Sequence, residues 1–230
     1  MPEFDRDAWE RTLAREASKL GAQSLEALME ELGDPPDLTK VPASFWDSQN
    51  ALLLAARAPM LQDVYMASAE AALDLSPVGV DWVVMNQNAV TWANQYGYEL
   101  VQGLTRTQRD LVREAVGNFF TQDQSLADLR HRLEGAFGTV RADMIATTEV
   151  TRAATEGERA LVDLLREQGL DFRDIWETAA DEIVCPICQP LNGAVRDPSG
   201  WYIHPEMGIA FGGPPAHPRC RCRERHESLT

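Results

Sequence analysis

From Phe4 to about residue 170 the apolar residues recur at spacings of three and four, as in Trp9, Leu13 and Leu20, then Leu25, Leu28, Met29 and Leu32. That is the period of an amphipathic helix, so helices are expected to dominate this part. Gly33-Asp34-Pro35-Pro36-Asp37 stops the first one. Ser44 can cap a second, running through Phe45, Trp46 and Leu52 to Leu54 and broken or bent at Pro59, where the ring removes a backbone donor. A further stretch is expected over 60–75, and another from about Asp81 that holds Trp82, Met85, Val90, Trp92, Tyr96 and Leu100. Thr105 with Gln108 three residues later matches a capping box and predicts a new helix start, and Ser125 with Asp128 repeats the pattern. Thr139 opens the longest candidate, through Ile145, Val150, Leu161 and Leu165, which Gly169 is placed to end in a left-handed cap. Aromatic residues at helical spacing are read as core, and the scattered methionines as gap fillers.

After Gly169 glycine, proline and aromatic residues crowd in and the helical period disappears. Phe172 to Thr178 alternates like a half-buried strand, Asn192-Gly193 between apolar residues signals a hairpin, and Trp201-Tyr202-Ile203 reads as another short strand. Residues 204–218 read as loop, and Arg219 to Arg225 alternates cysteine with arginine at period two. The expected fold class is mainly α: a helical region over 1–138, then a small α+β C-terminal domain over 139–230 organised by a Cys/His cluster.

Composition removes several function classes. No window approaches the eighteen or so apolar residues of a membrane span. Met1 to Asp7 has neither a basic start nor an apolar run behind it, so no secretory signal is expected. Twenty-one basic against 36 acidic residues give a net charge of −15, which repels a phosphate backbone at long range. Residues 1–140 carry 21 acids and 11 bases, and 141–230 carry 15 and 10. Four of those last ten bases are Arg219, Arg221, Arg223 and Arg225, a local basic spot that offers a weak DNA contact or a solvated strand.

The four cysteines come in two pairs, Cys185-Pro186-Ile187-Cys188 and Cys220-Arg221-Cys222, with His217 three residues before Cys220. Zinc is held tetrahedrally by thiolate and imidazole, and a C-x-x-C turn presents two sulfurs on one side of a knuckle. Residues two apart in an extended segment share a face, so Cys220 and Cys222 can complete the set, with His217 or His204 in reserve. Disulfides, in three possible pairings, and plain buried thiols stay open beside the metal reading. A nuclease of the treble-clef type needs a histidine base beside an acid or asparagine, and only His204-Pro205-Glu206 and His217-Pro218 are present. A cysteine nucleophile is disfavoured because all four thiols are closely paired. Glu149, Glu156 and Glu158 are read as a solvated helix face.

The run Trp176 to Cys188, then Leu191-Asn192-Gly193, then Pro214-Pro215-Ala216-His217-Pro218-Arg219-Cys220-Arg221-Cys222, resembles the signature of the Mu F-like minor head proteins of tailed bacteriophages. In that family a tryptophan strand, a D-E-x-V-C-x-x-C turn, an L-x-G turn and a terminal P-x-H-P-x-C-R-C close the domain. Met144 to Glu149 resembles the family's arginine-threonine-glutamate helix, with Thr147 where arginine is usual and Thr155 where asparagine is usual. The resemblance covers roughly 140–223. It implies a non-enzymatic virion component assembled in the host cytoplasm: a minor capsid or head morphogenesis protein, in few copies, at the portal vertex. The portal protein is then the expected partner, with scaffold or major capsid protein as further contacts and no membrane. The expected cofactor is a structural zinc on Cys185, Cys188, Cys220, Cys222 and His217. Some family members carry toxin or enzymatic fusions; none is expected here, since the chain ends eight residues after Cys222. The alternative is a zinc-dependent DNA-acting enzyme, or an effector delivered with the genome.

Overall fold

In the computed structural model the helical pattern is realised as five α-helices among the described residues, which are 4–75, 78–122, 124–179 and 184–229. Met1 to Glu3 of the amino terminus, and Asp181-Glu182-Ile183 of the family-like turn, lie outside them. The helices are α1 (Arg6–Leu32), α2 (Ala43–Ala71), α3 (Trp82–Thr121), α4 (Leu126–Phe137) and α5 (Thr139–Glu167). Four short strands follow α5: β1 (Phe172–Glu177), β2 (Tyr202–Ile203), β3 (Ala210–Phe211) and β4 (Arg223–Ser228). The mainly α expectation, with a small strand region and a Cys/His cluster near the C-terminus, holds.

The chain divides into two compact units. One is Glu10–Met60 with Trp92–Ala146; the other is Met1–Trp9, Leu61–Thr91 and Thr147–Thr230. The core of the first is built from Leu25, Leu28 and Leu32 of α1, Phe45 and Trp46 of α2, Val112 and Val116 of α3, and Leu129, Leu133 and Phe137 of α4. Several local signals act as expected. Gly33 (φ +71°) ends α1, Asp81 caps α3 by accepting from the Val83 and Val84 amides, and Gly169 (φ +89°) follows the end of α5. The Ser125–Asp128 capping box is fully formed at α4.

A break at Pro59 and a helix start at Thr105 do not occur. Helix α2 runs unbroken through Pro59, and the division between the units falls one residue beyond it. Leu53 on one side of the proline, and Leu61 and Val64 on the other, are all buried, so each half of the helix is held by its own packing. Thr105 starts no helix either: it lies buried inside the 40-residue α3, the longest helix, and its hydroxyl bonds Asn50 Oδ1 at 2.5 Å. With no proline before it in α3, and with the inward positions Val101, Val112 and Val116 in phase across Gly103, the box pattern is coincidental.

In the second unit α5 packs closely on the Leu61–Ala71 part of α2. Gly157 makes this possible, because a Cβ there would fall well inside contact distance of the Tyr65 carbonyl oxygen. Gly157→Ala is therefore expected to lower stability by about 1–3 kcal/mol despite its better helix propensity. Gly135→Ala in α4, where a Cβ meets nothing, is expected to raise it by about 0.5–1 kcal/mol. Denaturant midpoints of the two variants check the contrast.

Strands β1 and β4 pair antiparallel from Phe172↔Ser228 to Glu177↔Arg223, and β2 pairs with β3. The β3 strand interrupts the segment expected as loop. Asn192-Gly193 forms no hairpin: Leu191 to Ala194 makes a tight turn, with the Ala194 amide on the Leu191 carbonyl and Gly193 at φ +81°. Its Asn192 Oδ1 accepts from the Thr178 amide, and the Gly193 amide donates to the Trp176 carbonyl, so the turn docks on the end of β1. The Arg219–Arg225 segment becomes strand only at Arg223, which pairs with Glu177 at the end of β1, and Arg219 adopts φ +63°.

Candidate metal centre

Trp176, Leu191 and Tyr202 are fully buried and form a small core with Cys188, Cys220 and Cys222. Trp176 and Tyr202 meet edge to face, with ring centroids 5.3 Å apart. Around this core the two cysteine pairs converge. In the knuckle the Cys188 amide donates to the Cys185 sulfur at 3.4 Å and the Gln189 amide to the Cys185 carbonyl at 3.0 Å, which folds Cys185 and Cys188 to one side. His217 Nε2 lies 2.9 Å from Cys185 Sγ and 3.2 Å from Cys188 Sγ. Its Nδ1 is 2.7 Å from the Pro218 carbonyl oxygen, which accepts the ring proton and leaves the Nε2 lone pair turned towards the sulfurs.

Cys188 belongs to two groups of potential ligands, one with Cys185 and His217 and one with Cys220 and Cys222; within each, the ligand atoms lie within 4.8 Å of one another. Cys188 Sγ and Cys220 Sγ are 3.7 Å apart. A disulfide bond measures about 2.05 Å, and all four thiols are free. Zinc–sulfur bonds of about 2.3 Å at tetrahedral angles place two sulfurs roughly 3.8 Å apart, close to what is seen. Cys220 is held low by the hydrogen bond from the Cys188 thiol, and Cys188 is correspondingly pushed up, so the pair already favours one negative sulfur. Soft thiolates and an imidazole are a donor set suited to zinc. The cluster could hold a metal ion. His204 is not part of it: its Nδ1 accepts from the Glu206 and Met207 amides, so it braces a turn.

Side chains from the helices hold the C-x-C backbone. Thr148 Oγ1 accepts from the Arg219 amide at 2.9 Å, the Thr151 hydroxyl donates to the Cys220 carbonyl at 2.7 Å, and Arg6 donates to the Arg221 carbonyl at 2.9 Å. Neither Arg6 nor Thr151 stood out in the sequence; the signal was two threonines one turn apart on the inner face of α5. Below the cluster, Arg159 of α5 pairs with Glu224, whose side chain is fully buried, and donates to the Gly212 carbonyl. Asp174 faces its cross-strand partner His226 at 2.8 Å and also pairs with Arg166 and Arg196. Burial pushes the Asp174 carboxyl up, but the hydrogen bonds from His226 and Arg166 overcome it and hold the group at about 2. No Asp–His pair is adjacent in the sequence; strand pairing makes this one.

The acids of α5 are not the solvated face expected. Glu149 is buried and Glu158 is partly buried. Burial raises the Glu158 carboxyl from 4.5 to about 7. A raised carboxyl stabilises the fold fully below the unfolded value and loses that contribution as pH climbs through about 7. Glu158→Gln is thus expected to stabilise the chain at pH 8 by on the order of 2 kcal/mol and to flatten its stability profile between about 4.5 and 7. Urea denaturation of both chains across that range checks it. The basic spot is also weaker than its sequence suggests, because Arg223 pairs with Glu177, and Arg225 with Glu177 and Glu227.

No helix among the described residues is long and apolar enough to cross a membrane. No curated protein and no solved structure matches the chain. A family model described as Phage Mu protein F like protein matches residues 106–225, from within α3 to within β4, and so begins well upstream of the cysteine-rich signature. With more than half of its length inside that match, signature cysteines and clamping helix included, the chain belongs to the Phage Mu protein F-like family, a family of phage head morphogenesis.

Proposed function

We propose that the chain is a low-copy, non-enzymatic component of the phage head that acts beside the portal during procapsid assembly, with residues 139–230 as its signature domain. The family match supports the head assignment. The observation that carries the structural, non-catalytic reading is that His204 and His217, the two histidines the sequence offers to a nuclease, each turn Nδ1 to the backbone and have no acid paired with them among the described residues. His217 faces two sulfurs and the Pro218 carbonyl, and His204 braces its own turn. In this reading a zinc ion drawn to Cys185, Cys188, Cys220, Cys222 and His217 ties segments distant in sequence. Its chemistry is structural: it reinforces the small core of Trp176, Leu191 and Tyr202 in the loop-rich 170–230 segment.

The test is co-expression with the portal protein of the same phage, followed by affinity capture and by protein analysis of assembled heads. Recovery of the chain with the portal, and a few copies per head, is the expected result. Absence from purified heads, or metal-dependent DNA cleavage lost in His217→Ala, contradicts the proposal.

A further inference from the structure

A cavity of about 430 Å³ lies within the second unit, between the second half of α5, the end of α2 and the inner face of β4, with Cys222 at the edge it shares with the sulfur cluster. Its apolar lining includes Phe4, Ala71, Ala72 and Ala154, and its polar wall holds Thr155, Glu158 and His226. Two of these side chains present a polar atom without a hydrogen bond among the described residues. His226 is 6 % exposed and its Nδ1 is engaged with Asp174, yet its buried Nε2 makes no hydrogen bond. The Glu158 carboxylate makes none either, and burial outweighs every neighbouring cation in setting its proton affinity.

The other charged groups around the cavity are committed. Glu224 is locked to Arg159, Arg223 and Arg225 turn to Glu177, and Arg6 donates to the Arg221 and Cys220 carbonyls. What is missing is a cation with N–H donors. A metal ion fits poorly, because Glu158 and His226 find no third His, Cys, Asp or Glu in ligating range among the described residues. A primary ammonium on a short aliphatic stem fits both walls: its N–H groups meet the carboxylate and a threonine hydroxyl, and its methylenes lie on the alanines and Phe4. We propose that this cavity binds a primary alkylammonium, whether a lysine side chain of a partner protein or a small free amine.

The test titrates the full chain at pH 8 with n-butylammonium and, separately, with a lysine-containing peptide capped at both ends, following the His226 ring by NMR. Tetramethylammonium, which has no N–H, serves as the control. Saturable shifts at His226 are expected with the first two and not with the control, weakened roughly tenfold or more by Glu158→Gln. Thr155→Val, which keeps the carboxylate, is expected to weaken binding less. Tighter binding of the peptide than of butylammonium assigns the group to a protein partner, and equal or weaker binding assigns it to a free amine. No saturable shift with either, shifts equal to those of tetramethylammonium, or unchanged affinity in folded Glu158→Gln overturns the proposal.

Discussion

Cys188→Ala is expected to abolish metal binding and to unfold the segments around Trp176, with loss of near-ultraviolet circular dichroism and of the upper part of the thermal transition. Cys188 is the residue common to both ligand groups, so neither of the two groups of three found among the described residues survives its removal. A structural zinc supplies roughly 10–16 kcal/mol of apparent binding free energy, which exceeds the whole stability of an ordinary domain of about 5–15 kcal/mol. Were the cluster only packed thiols, the same change would trim one small buried side chain and cost about 1 kcal/mol. The two outcomes differ by enough to be separated in a single melting experiment. His217→Ala and Cys222→Ser each leave one of the two groups intact and are expected to weaken metal binding without abolishing it.

The second large effect concerns the ion pair that fastens β4 to α5. Arg159→Ala is expected to cost about 3–5 kcal/mol, because the Glu224 side chain has no exposure and would be left charged without its counter-ion. The loss also frees the Gly212 carbonyl that Arg159 holds. Replacing both partners, as Arg159→Met with Glu224→Leu, is expected to recover most of that loss, since the cost lies in the stranded charge and not in the missing attraction. Denaturant unfolding of the two single variants and the double variant closes the cycle. If the double variant is as unstable as Arg159→Ala, the buried pair is not what holds the strand.

These residues also show what could be seen in the chain beforehand. Helix existence was legible because Leu25, Leu28, Leu32 and their successors repeat at one period over more than a hundred residues. Helix continuity was not. Pro59 and Thr105 carry local stop and start signals that burial of Leu53, Leu61, Val101 and Val112 overrides, and packing partners distant in sequence are invisible to a local rule. The convergence of Cys185, Cys188, His217, Cys220 and Cys222 was legible because ligand spacing is itself local on each side of the gap. The choice of His217 over His204 was not, since both Nδ1 atoms meet backbone and the difference lies in what they meet: a carbonyl at His217, which leaves Nε2 with its lone pair, and two amides at His204. Glu158 was misread as solvated for a similar reason: the face it shares is covered by β4, a strand whose pairing with β1 joins residues about fifty apart.

The central claim is that the converging sulfurs and the His217 imidazole hold one metal ion that keeps the carboxy-terminal segments folded. Native mass spectrometry of the purified, reduced chain, before and after chelation and paired with circular dichroism, tests it most directly. A mass increment of one zinc per chain, removed by the chelator together with the tertiary signal and missing in Cys188→Ala, is the predicted result. A metal-free chain that keeps its full tertiary signal would contradict the claim.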